Sequence, residues 1–139
     1  MKSISVLENE IRVPINSDED IVTARQKGRS LAVTLGFSSV DAILIATAIS
    51  ELARNIVTYA RHGEIQLKVI RRSAKLGIEL VATDEGPGIH DINQALRVGF
   101  STSGSLGLGL PGVKRLVDEF ECKSEVGQGT TVLTRKWRP

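Results

Sequence analysis

Glu51 and Asn55 stand four residues apart in the run Ala48-Ile49-Ser50-Glu51-Leu52-Ala53-Arg54-Asn55-Ile56. On a helix, residues at i and i+4 lie one above the other, so a carboxylate and an amide oxygen would share one ledge. The carboxylate can take a proton from a nucleophile as general base. The neutral amide oxygen suits a magnesium ion that also takes phosphate oxygens. Three glycine motifs follow in order: Asp84-Glu85-Gly86-Pro87-Gly88-Ile89, Gly104-Ser105-Leu106-Gly107-Leu108-Gly109-Leu110 and Gly127-Gln128-Gly129-Thr130. Asp84 ends an alternating stretch and can accept a hydrogen bond from an exocyclic amine such as that of adenine. Gly86 and Gly88 permit close backbone approach, and Pro87 stiffens the turn. Gly104, Gly107 and Gly109 bare backbone N–H groups ahead of a helix beginning near Pro111, a setting in which phosphates bind. Thr130 opens a strand beside the site, where its hydroxyl can reach a base or a water. Together these are the parts needed to hold magnesium and ATP.

Taken singly, each motif also has an ordinary reading. Glu51 and Asn55 can be a solvated pair on a helix surface, the Asp84 motif a plain turn, the Gly104 stretch a flexible loop, and Gly127 to Thr130 a hairpin turn. The Gly104 stretch is not a Walker loop, because no Gly-Lys-Ser/Thr occurs. Nor is it a dinucleotide fingerprint, which requires a strand immediately before it within a βαβ unit. The chain has no His-Glu-x-x-His, no Cys-x-x-Cys and no nucleophile-elbow serine.

The elements that must position these residues follow from patterning. Ile4 to Ile15 reads as a strand. Ser17 or Asp18 can cap a helix from about Glu19 to Leu35, with Gly36 as its C′ residue. A second helix starts near Ser39 or Asp41 and runs to about Ala60. In it Ile45, Ile49, Leu52 and Ile56 form one apolar stripe, and Glu51 and Asn55 fall about 100° away from the stripe centre, at the edge of the core. Residues 64–70 and 76–83 alternate as half-buried strands joined by the basic turn Arg71 to Lys75. A short helix over 91–98, a helix from Pro111 to about Phe120, a strand, and a last strand from about Thr130 to Trp137 complete the order. This is an α+β pattern: a two-layer α/β sandwich whose mixed, mainly antiparallel sheet carries helices on one face.

The bulk properties bound the rest. With 139 residues, 41% of them hydrophobic, the chain reads as one globular domain spanning 1–139. The net charge of +2, with basic residues scattered, argues against a nucleic-acid partner and against a membrane partner. No apolar run is long enough to span a bilayer. Cys122 is the single cysteine, which fits a reducing, cytoplasmic setting.

The order and content of the four motifs resemble the Bergerat-fold (GHKL) ATPase/kinase superfamily, which includes type II topoisomerases and histidine kinases. Arg25-Gln26-x-Gly28-Arg29, Gly99-Phe100-Ser101-Thr102-Ser103-Gly104 and Gly107 to Leu116 bring the resemblance closer, to the RsbT-type serine/threonine kinases of the bacterial stressosome. It runs from about residue 18 to residue 137. The resemblance implies that Asn55 ligates magnesium and that Glu51 is the general base. It implies that Asp84 binds adenine, with Gly86, Gly88 and Ile89 shaping that end and Thr130 supporting it. Thr102, Ser103, Gly104 and the backbone through Gly107, Leu108, Gly109 and Leu110 would form a short lid over the phosphates. The implied substrates are serines or threonines of STAS-domain stressosome scaffold and antagonist proteins. The released kinase would then activate a metal-dependent protein phosphatase or similar effector. A nucleotide-gated, anti-sigma-like binding switch with little turnover is the alternative. One departure is Tyr59, where many superfamily members carry a histidine.

Overall fold

The computed structural model describes residues 3–7, 10–86 and 109–139. Gly88, Ile89, Thr102, Ser103, Gly104, Gly107, Leu108 and the helix expected over 91–98 lie outside the described residues. Two short strands, β1 (Ile4–Val6) and β2 (Ile11–Ile15), lead into helices α1 (Asp18–Thr34) and α2 (Ser39–Asn55). A π-helical turn, Ile56–Ala60, continues α2. Strands β3 (Gly63–Arg72) and β4 (Lys75–Asp84), helix α3 (Gly109–Leu116), and strands β5 (Glu119–Glu125) and β6 (Gly129–Trp137) follow.

Local chemistry sets these boundaries. Ser38 caps α2 by accepting from the Asp41 N–H at 3.1 Å. At the other end of α1, Gly36 adopts φ +86. Its N–H bonds the Val33 carbonyl while the Phe37 N–H bonds that of Ala32, the paired bonds of a Schellman ending. The N-cap of α1 differs from the usual form. Ser17 accepts no cap bond, and instead Asp20 reaches back, taking the Asn16 N–H at 2.8 Å.

The sheet order is β1-β3-β4-β6-β5, with β2 also on β3. The expected mixed sheet has only antiparallel pairings among the described residues. The single N-terminal strand expected over Ile4 to Ile15 is two strands. Between the pairs Val6↔Ile70 and Ile11↔Leu67 the N-terminal chain has four residues where β3 has two, so one continuous register is impossible. The β3–β4 turn is tighter than the basic stretch suggests, since Arg72 already pairs Lys75 and only Ser73 and Ala74 lie between them. Helix α3 stops at Leu116 rather than near Phe120. Asp118 N bonds the Arg135 carbonyl at 2.9 Å, and pairing to β6 takes over from there.

The two faces of the sheet are chemically distinct. Ile65, Leu67, Ile78, Leu80, Ala82 and Val132 form one core with the α1 and α2 residues Ile21, Ala24, Ile45, Ile49 and Leu52 and with Ile56 of the π turn. On the opposite face, register aligns Lys68, Glu79, Arg135 and Glu119 across β3, β4, β6 and β5 in alternating charge. Arg135 binds Glu79 at 2.9 Å and Glu119 at 3.1 Å. Arg72 binds Glu119 at 2.9 Å and lies over the Trp137 ring. The indole in turn lies across Gly77, where a Cβ would come within 2.7 Å of Trp137 Cε3.

Partial burial pushes the Glu119 carboxyl up, but hydrogen bonds from Arg72, Trp137 and Arg135 outweigh that and hold it at about 2. Its ordinary value is 4.5, so on acidification the unfolded chain takes the proton first. The stability that Glu119 contributes is complete above 4.5 and is lost as pH falls from there toward about 2. Glu119→Gln should therefore lower unfolding free energy at pH 7 by roughly 1–3 kcal/mol, as for loss of charged hydrogen bonds. Urea titrations of both proteins across the acidic range should show that gap shrinking as pH falls.

Candidate functional site

Helix α2 carries the first two candidates. The expected stripe is present: Ile45, Ile49, Leu52 and Ile56 are all buried. Small residues Ala42, Ala46, Ala48 and Ala53 are buried as well, because α2 is covered by α1 and α3 in addition to the sheet. Glu51 consequently lies deeper than the edge position that spacing suggests, only 8% exposed. Its Oε2 is buried with no hydrogen-bond partner among the described residues. A buried carboxylate oxygen left unpaired is costly unless water, a cation or a ligand completes it. Asn55, one turn on, is half-buried.

Directly after Asn55 the helix widens. Arg61 N bonds the Ile56 carbonyl at 2.7 Å, an i→i+5 closure, and Arg61 itself takes φ 71. Such π turns are rare outside functional positions, and a non-glycine residue at that φ stores strain. The turn ends beside Asp84. A Cβ on Gly86 would come within 2.5 Å of Ala60 Cβ. A Cβ on Gly63 would come within 2.4 Å of the Thr83 carbonyl and 2.7 Å of Ile56. Bare backbone at Gly63 and Gly86 is what lets the segment from Ile56 to Ala60 rest on the end of β4.

Asp84 is fixed from two sides. Its Oδ1 accepts from Gly86 N at 2.9 Å and from Thr130 N at 3.3 Å. Gly129 adopts φ +114 and packs so tightly on Asp84 that a Cβ there would come within 2.0 Å of the Asp84 carbonyl. Thr130 pairs Asp84 in register, and its hydroxyl lies 2.8 Å from that of Ser124. Helix α3 begins at Gly109 with φ 46, buries Leu110 and Val113, and packs on α2. Pro111 sits in its first turn, where the missing N–H costs nothing.

The described parts of all four motifs thus adjoin one another. The Glu51 helix runs into the turn that touches Gly86, the Asp84 turn touches Gly129 and Thr130, and the helix opened by Gly109 and Leu110 lies on α2. Gly63, Ser124 and the turn over Ile56 to Ala60 belong to this assembly and escape the sequence reading. Gly63 gave a signal as a lone glycine heading an alternating strand, and Ser124 gave none. Tyr59, the departure from the superfamily pattern, lies in the π turn.

Buried acceptor, fixed aspartate and glycine-lined strand ends define a nucleotide-binding ATPase-type domain, and comparison with known proteins agrees. Residues 16–136 match the histidine kinase-like ATPase domain, and the chain belongs to that family. It is 53% identical over 125 residues to the serine/threonine-protein kinase RsbT of Bacillus subtilis (strain 168), covering 90% of this chain and 94% of that protein. It is also 33% identical over 99 residues to the anti-sigma F factor of Caldanaerobacter subterraneus subsp. tengcongensis, covering 67% of this chain and 68% of that one. Among solved structures, the RsbU and RsbW domains of a Mycobacterium tuberculosis protein give a TM-score of 0.60 at 20% identity, covering 95% of this chain but only 33% of that longer one. The mycobacterial sensor histidine kinase MprB gives 0.55 at 18% identity, covering 93% of this chain and 99% of that one. These two likenesses concern the fold alone.

Gly63→Ala should lower unfolding free energy by roughly 1–3 kcal/mol, the usual cost of overpacking, because the obstructing Thr83 oxygen is backbone and cannot rotate away. Chemical denaturation of wild type and variant checks this, and equal midpoints would contradict the close packing.

Proposed function

We propose that this protein is a magnesium-dependent serine/threonine protein kinase acting on STAS-domain stressosome proteins. The observation that carries the reading is the Glu51 carboxylate, buried one turn before Asn55 with Oε2 unpartnered among the described residues. A purely structural helix gains nothing from such a group. The identity with RsbT over nearly the whole chain supports the kinase assignment.

The residues fit the nucleotide and the metal. Asp84 retains acceptor capacity for the 6-amino group of adenine, and Gly63, Gly86 and Gly129 let the neighbouring segments close around it. Asn55 would hold magnesium through its amide oxygen. Gly109, Leu110 and the first turn of α3 would meet the phosphates, with Thr102, Ser103, Gly104, Gly107 and Leu108 over them and Gly88 and Ile89 at the base end. Bound magnesium would supply neutralisation of charge on the phosphates.

In the transfer, the hydroxyl oxygen of a partner serine or threonine bonds to the γ-phosphorus. The bond from that phosphorus to the β,γ-bridging oxygen breaks and ADP leaves. Glu51 takes the hydroxyl proton, and its enclosure on α2 fixes its direction. Release from the phosphorylated scaffold would free the kinase to activate a metal-dependent protein phosphatase in a cytoplasmic stress response. The likeness to anti-sigma F factors favours a second reading, a nucleotide-gated binding switch that holds a protein partner with little turnover.

Mixing the purified chain, Mg-ATP and a STAS-domain protein from the same genome should place phosphate on a serine or threonine, seen by mass spectrometry. Asn55→Ala should abolish that transfer. Glu51→Gln should keep ATP binding but slow transfer by about 100-fold or more, the scale of general-base loss. Asp84→Asn should weaken ATP binding about tenfold or more, read by calorimetry. Wild-type transfer by Asn55→Ala would sink the metal assignment. ATP binding without transfer by wild type would favour the switch.

A further inference from the structure

Helix α2 leaves one row of side chains uncovered. Val40, Ile43, Thr47, Ser50 and Arg54 follow one another at three- and four-residue spacing, so they lie along a single line of the helix. Val40 is 64% exposed and Ile43 45%, and Arg54 is exposed as well. The two hydroxyls between them turn back into the helix. Thr47 donates to the Ile43 carbonyl at 2.8 Å, and Ser50 donates to the Ala46 carbonyl at 3.1 Å. With those protons spent on the backbone, the row is less polar than its residue types suggest. Its charge sits at one end. Asp41 is half-buried and 3.8 Å from Lys136, and Glu51 is buried. Arg54 is therefore the exposed charge of α2, and its guanidinium has no ion pair or hydrogen bond among the described residues. Glu51 stands three residues before it, a spacing at which an acid and a base on a helix commonly pair. Here Glu51 is instead enclosed, with its Oε2 unpartnered. The acidic first turn of α1 forms no ion pair with Arg54 either, and Asp20 there is turned onto Asn16 and Ser17.

We propose that this row is the docking surface for the protein that supplies the acceptor hydroxyl, and that Arg54 grips a carboxylate flanking the acceptor serine or threonine. The inference rests on the kinase reading above and deepens it by naming the chemistry of the substrate: an apolar strip that ends in an aspartate or glutamate beside the acceptor. The exposed valine and isoleucine at the far end of the row match an apolar surface. The cation at the near end, beside Glu51 and Asn55, calls for an anionic complement and repels a basic one. From Val40 to Arg54 the row runs about 21 Å at 1.5 Å per residue, long enough to seat a segment of a partner rather than one side chain. Its position matters as much as its chemistry. The row lies on the helix that carries Glu51, so a partner seated on it stands in fixed register with the general base, and orientation of that kind lowers the barrier to transfer.

The test is steady-state phosphotransfer from saturating Mg-ATP to a STAS-domain protein of the same genome, with ATP affinity measured by calorimetry. It compares the full wild-type chain with Arg54→Ala, Arg54→Lys and Ile43→Glu. Arg54→Ala should raise KM for the protein substrate about tenfold, the scale of one charged hydrogen-bonded contact, while kcat and ATP affinity stay near wild type. Arg54→Lys keeps the charge and should recover most of the loss. Ile43→Glu, about three turns from Arg54, should raise KM by a similar factor, because it sets an acid in the apolar part of the row. Val40→Glu repeats that comparison if Ile43→Glu does not fold. Added salt should raise KM more for wild type than for Arg54→Ala. Unchanged KM in either Arg54→Ala or Ile43→Glu, with phosphate still transferred, overturns the single docking surface and leaves the kinase reading standing. A fall in kcat or in ATP affinity with KM unchanged places Arg54 in the chemistry and also overturns it. So does an Ile43→Glu chain that dissociates from a dimer in ultracentrifugation without a change in KM, since the row is then covered by a second copy. A wild-type chain that phosphorylates no STAS-domain protein overturns this inference together with the reading it rests on.

Discussion

Three glycines stand around the end of β4 at separations no side chain would tolerate. A Cβ would come within 2.4 Å of backbone oxygen at Gly63, within 2.5 Å of Ala60 at Gly86, and within 2.0 Å of backbone oxygen at Gly129. The approach of three backbone segments to Asp84 is the constraint on which the functional end depends. It brings the Gly86 and Thr130 N–H groups onto one carboxylate oxygen and seats the turn after Asn55 against the strand ends. The helix that carries Glu51 is thereby tied to the strand that carries Asp84. Widening any of these approaches would separate the two halves of the candidate site before it altered any reactive group.

The second constraint is the enclosure of α2. Covered by two other helices and a sheet, α2 leaves mainly the stripe through Val40, Ile43 and Arg54 exposed, and alanines at 42, 46, 48 and 53 allow its neighbours to come close. Gly28 of α1 contributes in the same way, facing Ile49 with no side chain between. Placing Glu51 in that setting costs stability, because desolvating a carboxylate oxygen without a partner is unfavourable. Folding alone would favour leucine there. A cost retained at one position, beside a π turn and a strained Arg61, is the pattern expected where the fold serves a ligand.

Much of this was legible in the sequence because the signals were local. Gly36 and Ser38 end and begin helices through hydrogen bonds within a few residues, and the stripe from Ile45 to Ile56 depends only on helical period. Asp84 and Thr130 could be named from their motifs, although their pairing in register could not. Features set by contact between distant segments were hidden. The depth of Glu51 depends on α1 and α3 both covering α2. The break between β1 and β2 depends on the count of residues along β3. Gly63 matters only because Ile56 and Thr83 arrive beside it. Ser124 looks like any strand serine until β5 and β6 pair. The end of α3 was misplaced because Glu119 and Phe120 suit a helix locally, whereas Glu119 is drawn into the sheet by Arg72 and Arg135.

The two faces of the sheet handle their polar groups in opposite ways, and the contrast bears on what the site can bind. On the outer face charges alternate along the row, so Arg135 satisfies Glu79 and Glu119 while Lys68 pairs with Glu10. On the helix face, near the candidate site, the Glu51 and Asp84 carboxylates offer acceptors. An anionic ligand rich in acceptors would be repelled by such a set unless it brought donors at one end and a cation at the other. A nucleotide that presents an amino group to Asp84, and reaches Glu51 and Asn55 only with a divalent cation between, meets both conditions. On the function proposed above, the amino group and the divalent cation answer one feature of the site, since each sets positive polarity against a carboxylate.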